Sequence, residues 1–454
     1  MIMAADKQDK VLNFSNEREQ SGACSSSAEH EKNQGKNFLN VPNKRVQSQT
    51  CLSSAERAGL RTKGNVPTLR FPEFKDEWAA LSMEDCLIRL ENGANYDTND
   101  VEGYPMSRIE TISTSHIDYS KVGYSVNLKN AEHYRMLYGD ILFSHINSLR
   151  HIGKTAYYEA EKPLYHGMNL LLLRCKSEID SKCMYYLLNN QQFLRKCQVL
   201  AKQAVNQASI STSDLRKIEL FVPQYDEQIR IAKFLSLIDK RIEAQIRIIN
   251  EIQSLISGIT QKISKHSSIR MTMLSELLVE RNEKNTALFP VHSVSVSEGV
   301  INQIDYLGRS FAAADTSHYN VAHKGDIIYT KSPTGEFPFG IVKRNAIESN
   351  VAVSPLYGVY KPVTDDVAIY LHYYFCSPLN AQNYLHKLIQ KGAKNTINIT
   401  NQRFLENCIP LPENKTLSRF VKLISAVSTK LKLEKSLLET LQRQKRYLLT
   451  SMFI

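Results

Sequence analysis

Two stretches of this chain gather guanidinium, amide and ammonium groups. The first holds His145, Asn147, Arg150, His151 and Lys154, followed by Lys202, Gln203, Asn206 and Gln207. The second holds Lys331, Lys343 and Arg344, followed by Lys391, Lys394, Asn395, Asn398 and Gln402. Arginine can grip guanine with two hydrogen bonds in the major groove, and asparagine or glutamine can grip adenine in the same way. Lysine suits phosphate oxygens. These groups could therefore recognise a nucleic acid without making or breaking bonds. A loop dense in Lys, Asn and Gln is also what an ordinary solvated loop looks like.

Bond-making chemistry finds little support. Gly153-Lys154-Thr155 looks like the end of a phosphate loop, but that motif needs a glycine five residues earlier, where Ser148 stands. Glu73-Phe74-Lys75 is an acidic-x-Lys triplet of the kind used by metal-dependent nucleases, yet no aspartate precedes it within twenty residues. Two-metal chemistry needs several carboxylates. Residues 70–74 therefore read as a packing segment anchored by Trp78. No GxGxxG follows a strand, and no GxSxG or HExxH occurs. The eight cysteines form no CxxC pair, and no Cys/His cluster has zinc spacing. The expectation is a chain with no catalytic residue and no metal site, its cysteines free thiols.

What positions the polar stretches is a repeat. Residues 204–223 (AVNQASISTSDLRKIELFVP) match residues 393–412 (AKNTINITNQRFLENCIPLP) at an offset of 189. Gly139-Asp140-Ile141 is echoed by Gly325-Asp326-Ile327, at an offset of 186. After each repeat comes a helical stripe. Ile231, Leu235, Ile238, Ile242, Gln245, Ile249, Ile252, Ile256, Ile259 and Ile263 alternate steps of three and four. The second copy runs Phe420, Ile424, Val427, Leu431, Glu434, Leu438, Leu441, Lys445, Leu448 and Met452. That is a heptad seam over more than four heptads. Gln245 and Glu434 interrupt it at matching places, and polar seam residues fix register at a cost in stability. Pairing the two seams with each other is the simplest way to bury both.

The globular parts mix short alternating strands, at 139–144, 169–174, 326–331 and 353–360, with one helix each, at 182–199 and 367–391. The fold class is α+β, two pseudo-repeated bodies separated by two long helices paired as an antiparallel coiled coil. The expected divisions are 1–65, a Ser/Asn/Gln/Lys-rich disordered extension; 66–225, a first globular part; 226–268, a central helix; 269–414, a second globular part; and 415–454, a C-terminal helix. The net charge of +11 falls on the helices. Residues 229–266 and 415–454 together carry sixteen Lys and Arg against five Asp and Glu. A basic pair of helices suits a phosphate backbone or an acidic protein groove. No window approaches the roughly 18 apolar residues of a membrane span, and the first thirty residues show no secretory h-region.

These features together resemble the specificity subunit of type I restriction–modification systems. The resemblance rests on LRFPEFKDEW at 69–78, a GDI-type strand in each half, the Asn-x-x-x-Ile segments at 206–210 and 395–399, the closing Pro223 and Pro412, and Gln228-Ile229-Arg230-Ile231-Ala232-Lys233-Phe234-Leu235. The second copy departs from the last motif, reading Leu417-Ser418-Arg419-Phe420. The resemblance implies that each globular part is a target recognition domain reading half of a split duplex DNA site, and that the helices are the spacer. It implies docking of methyltransferase subunits, two being expected, and through them of ATP-dependent restriction subunits. S-adenosylmethionine, ATP and Mg would belong to those partners, none being bound by this chain, and the location would be cytoplasmic. The stripe from 231 to 263 would span roughly 50 Å at about 1.5 Å per residue, about one and a half turns of B-DNA. The two polar stretches differ, so an asymmetric bipartite target is expected.

Overall fold

The computed structural model describes residues 64–454 except 98, 99, 114, 204–206, 267, 310, 311, 314 and 392–396. The expected extension, 1–65, therefore lies outside the described residues apart from its last two positions.

Each globular part is built on a four-stranded antiparallel sheet, and strand order is the same in both. In the first the order is Leu87–Asn92, Leu171–Cys175, Ile141–Phe143, Thr155–Tyr157. In the second it is Leu278–Glu280, Gly358–Pro362, Ile327–Tyr329, Val342–Arg344. The central strands are apolar on both faces because both faces are covered. Ile141, Phe143, Leu171 and Leu173 enter one core, while Leu142, Leu170 and Leu172 enter another. A two-stranded ribbon closes each body, Ala79–Ser82 against Glu219–Val222 and Ile269–Met273 against Cys408–Pro412. The fold is thus α+β, a duplicated plan with mixed helix and sheet.

Three expected elements are divided in the structure. The helix expected at 182–199 is two helices, Ser181–Leu188 and Gln191–Leu200. Asn190 separates them, its side chain capping the second by accepting from the Phe193 N–H at 2.7 Å. The helix expected at 367–391 is likewise Asp365–Phe375 and Pro378–His386. Ser377 caps the second and Pro378 occupies its first turn, where the missing N–H is harmless. The strand expected at 353–360 is two, Val351–Val353 and Gly358–Pro362, which pair with different partners.

The repeated motifs have local structural causes. Gly139 and Gly325 both adopt left-handed φ values, +92° and +91°. The aspartate after each is buried, and each binds an arginine through both oxygens. Asp140 holds Arg174 at 2.7 and 2.8 Å, and Asp326 holds Arg281 at 2.6 and 3.2 Å. The arginine comes from a different place in each copy, the strand Leu171–Cys175 in the first and the residue after Leu278–Glu280 in the second. Ile210 and Ile399 are core residues, and the Ser211 and Thr400 that follow them cap the short helices Thr212–Arg216 and Asn401–Phe404.

The long helices run Tyr225–Ile263 and Asn414–Ser451 and pack along each other. Their direction is antiparallel. Ile231 and Leu235 share a core with Leu448 and Met452, whereas Ile256, Ile259 and Ile263 pack on the core containing Phe420 and Ile424. Between these ends Lys445 pairs with Asp239 at 2.5 Å. At the centre the Gln245 amide donates to the Glu434 carbonyl oxygen at 3.1 Å and also to its carboxylate. These two residues are 189 apart, the offset of the repeat, so they lie on the pseudo-twofold axis relating the copies. Lys430, and then Gln245, hold the Glu434 carboxyl below its ordinary value.

The segment before the first ribbon ties the chain together. Leu69 N–H donates to the Ser451 carbonyl at 2.9 Å, and Arg70 grips Glu227 with two bonds of 2.7 Å. Trp78, 2% exposed, donates to the same carboxylate at 3.2 Å and packs edge-on against Phe453. The Gln228 amide bridges the helix start to the first body, accepting from Asp180 N–H at 2.7 Å and donating to the Pro223 carbonyl at 2.9 Å. In the second copy Leu417 takes the place of Gln228 and is buried in the core instead.

Candidate nucleic-acid interface

In the first body the two polar stretches meet. The loop that starts after Ile141–Phe143 is closed at its base, Ser144 N–H donating to the Lys154 carbonyl at 2.8 Å and Gly153 N–H to the Ser144 carbonyl at 3.0 Å. Ile210 N–H then donates to the His145 carbonyl at 2.9 Å, drawing the second stretch onto the first. A three-stranded ribbon results, Ile146–Asn147, Ala208–Ser209, Lys202–Gln203. Its register places Asn147 and Gln203 on either side of Ala208, and Ile146 and Lys202 on either side of Ser209. Directly opposed residues share a face, so Asn147 and Gln203 flank Ala208 on one face, where the Asn147 amide also donates to the Ser144 hydroxyl at 3.1 Å and accepts from Ser148 N–H at 2.8 Å. Lys202, Gln203 and Gln207 are exposed, as is Arg150 on the single turn Leu149–His151. Asn206 lies outside the described residues.

Burial separates true surface groups from the rest of this set. His145 is only 6% exposed; burial drives its pKa down to about 4, and its ring stays neutral near pH 7. It is a core histidine, which corrects its assignment as a contact residue. Lys154 donates its ammonium to the Ser113 carbonyl at 2.7 Å, holding one loop to another. Gly153-Lys154-Thr155 forms a turn running into a strand, and Thr155 is buried and accepts from Asn189 at 2.7 Å. No helix follows to offer its amides to a phosphate.

The second body repeats the plan with a different loop. Thr330 N–H donates to the Ile341 carbonyl, and Ile341 N–H returns to the Thr330 hydroxyl, both at 3.1 Å. The loop between them carries Lys331, half-buried in the left-handed region at φ +62°, its pKa lowered by burial. Gly340 lies against it. A Cβ on Gly340 would come within 2.7 Å of the Lys331 nitrogen, so only glycine fits. The ribbon Gln390–Lys391 pairs with Ile397–Asn398, setting Lys391 opposite Ile397 and Asn398 opposite Gln390. Gln402 is exposed on Asn401–Phe404. Lys394 and Asn395 lie outside the described residues. One further candidate is corrected: Lys343 is 5% exposed and directed inward. Arg344 is half-buried and paired with Asp365.

The seam residues occupy the helix pair. Ile231, Leu235, Gln245, Ile249, Phe420, Ile424 and Glu434 are buried, and Ile238, Ile242, Val427, Leu431 and Leu438 are half-buried. The outer faces of the same helices expose Leu237, Leu255, Leu423, Leu433 and Tyr447, each at least half exposed. The aspartate–arginine clamps and the Glu227 anchor escaped the sequence reading. Their signal was present, a Gly-Asp pair in both copies, but a buried carboxylate and a surface one look alike in sequence.

Residues 88–254 match the family model described as type I restriction modification DNA specificity domain. The protein named as the type I restriction enzyme MjaX specificity subunit of Methanocaldococcus jannaschii is 38% identical over 223 residues, covering 47% of this chain. The chain spans about half, 52%, of the length of that curated relative. The crystal structure of a type-I restriction-modification system S subunit from M. genitalium superposes with a TM-score of 0.53 at 17% identity, over 86% of this chain and 99% of that one. That last likeness is one of fold.

Proposed function

We propose, from the premise that residues 88–254 are a type I restriction–modification DNA specificity domain, that the whole chain reads two unlike DNA half-sites and itself performs no catalysis. The observation that carries this is the duplicated architecture. Two bodies with the same strand order stand on one antiparallel helix pair, with matched residues Gln245 and Glu434 meeting at its centre. A duplex is itself pseudo-twofold, so a pseudo-twofold protein can address it twice. Each body would read through its ribbon and loop. In the first, Asn147 and Gln203 supply base-reading amides and Lys202 and Arg150 the phosphate or guanine contacts. In the second, Lys331, Lys391, Asn398 and Gln402 take those roles.

The helices serve as the spacer. The central one has 39 residues, about 58 Å at roughly 1.5 Å per residue, long enough to separate readers by more than one turn of B-DNA. Their exposed apolar outer residues suit protein partners, which we assign as methyltransferase subunits, two of them, with restriction subunits joining through these. S-adenosylmethionine, ATP and Mg belong to those partners in this reading, and the complex works in the cytoplasm. No described helix is long and apolar enough to cross a membrane.

The test is binding of the assembled complex to a library of randomised duplexes across a salt series. The expected result is enrichment of a split motif, with affinity falling steeply as salt rises, at a log–log slope of roughly −0.9 per phosphate neutralised. Binding without sequence preference, or methyl transfer by the purified chain alone, would contradict the reading.

A further inference from the structure

Lys343 lies on the edge strand Val342–Arg344 of the second sheet, 5% exposed. A buried ammonium needs a negative partner. The neighbouring Arg344 pairs with Asp365. Lys343 instead directs its Nζ at the Sγ of Cys376, 3.3 Å away. Cys376 closes the helix Asp365–Phe375, one turn after His372, whose Nε2 is 3.9 Å from the same sulfur.

The hydrogen-bond pattern orients this cluster around the sulfur. The His372 Nδ1 faces the backbone N–H of Arg344 at 3.2 Å. A backbone N–H can only donate, so Nδ1 accepts and Nε2 carries the ring proton. The sulfur therefore faces two donors, the ammonium and the imidazole N–H, and no acceptor among the described residues. A thiolate accepts from such donors far more strongly than a thiol does, so two donors aimed at the sulfur favour the thiolate. The remaining group close by, Tyr373 on the same helix, turns its hydroxyl to Ser428 of the C-terminal helix.

We propose that Cys376 is a nucleophilic thiolate and a modification site for low-molecular-weight disulfides. The thiolate attacks one sulfur of the disulfide RSSR. A new Sγ–S bond forms, the old S–S bond breaks, and RS⁻ leaves with its electron pair. Exchange of this kind needs no other oxidant. The modified sulfur is uncharged, so Lys343 loses its partner anion. None of this depends on what the chain binds.

Electrostatics agrees. Burial pushes the Cys376 thiol up, but His372 and Lys343 pull it back below its ordinary value. Burial instead raises Cys86 to about 11, raises Cys175 and Cys197 to about 12, and holds Cys183 well above its ordinary value. Cys376 is partly exposed, whereas Cys86, Cys183 and Cys197 are buried.

The experiment is a short pulse of iodoacetamide on the native full-length chain between pH 5 and 9.5, read peptide by peptide by mass spectrometry. Cys376 should label half-maximally well below pH 8 and, at pH 6.5, at least a hundredfold faster than Cys175. The large gain in thiolate fraction is partly offset by the lower nucleophilicity of a low-pKa thiolate. Oxidised glutathione should form its mixed disulfide first at Cys376. Lys343→Met should move the half-maximum up by at least one pH unit, and His372→Gln should move it in the same direction. If Lys343→Met does not fold, the profile of the unaltered chain still decides. Labelling of Cys376 that rises only above pH 8, or appears only after denaturation, overturns the proposal.

Discussion

At the scale of the residue, function and structure compete for the same side-chain types. His145 and Asn147 are two positions apart, yet one is a neutral core ring and the other a partly exposed amide on a ribbon. Sequence placed both in a polar loop and could not separate them, because burial is decided by residues far along the chain. The separation yields a test. Asn147→Ala and Gln203→Ala should relax base preference in one half-site, each by about 1–3 kcal/mol if its contact is bidentate. Lys202→Ala should weaken all duplexes alike and lower the salt slope by about one. Equilibrium binding to matched and mismatched duplexes distinguishes the two outcomes. Glu227 is the corresponding structural residue. It is fully buried between Arg70 and Trp78. Glu227→Ala strands the Arg70 guanidinium, so urea unfolding should show a loss of about 3–5 kcal/mol. Replacing Arg70 by Met in the same chain should recover part of that loss.

At the scale of the element, the long helices were the most legible feature and the short strands the least. Ten seam positions at steps of three and four leave a signal that no single substitution can hide. The strands are two to six residues long and flanked by loops, and apolar runs of that length fit helix or strand equally. The broken helices show the limit from the other side. Asn190 and Ser377 stop and restart a helix through one side-chain hydrogen bond each, which an apolar pattern does not register. Gln245 and Glu434 set the register of the helix pair. Gln245→Leu should lower the melting temperature by leaving the Glu434 carboxylate and carbonyl against an apolar side chain, and the double Leu variant should melt above the single one. The Glu434 carboxyl is depressed in the folded state. Its stabilising contribution is therefore present above the ordinary Glu range and lost as pH falls through the depressed value. Melting followed across that acidic range should show the loss in the parent chain and not in the double variant.

At the scale of the whole molecule, the duplication was readable because two copies of a motif at a fixed offset are unambiguous. What each copy reads was not, since only geometry brings residues 146–147, 202–203 and 208–209 into one ribbon. Because the seam is shared, the spacer has to be shortened in both strands of the coil. Removing seven residues from each long helix shortens the strut by about 10 Å, close to three base pairs at 3.4 Å each. Modification mapping should show the gap between half-sites reduced by about that amount while the bases read stay the same.

The central claim is that two separable readers sit on one strut. The most direct measurement is a genome-wide map of modified positions in cells carrying the full set of subunits, with this chain or with residues 269–414 replaced from another specificity subunit. The account expects a split motif of two unlike halves at a fixed gap, in which the replacement changes one half and leaves the other half and the gap intact. A continuous motif, or a change in both halves, would contradict it.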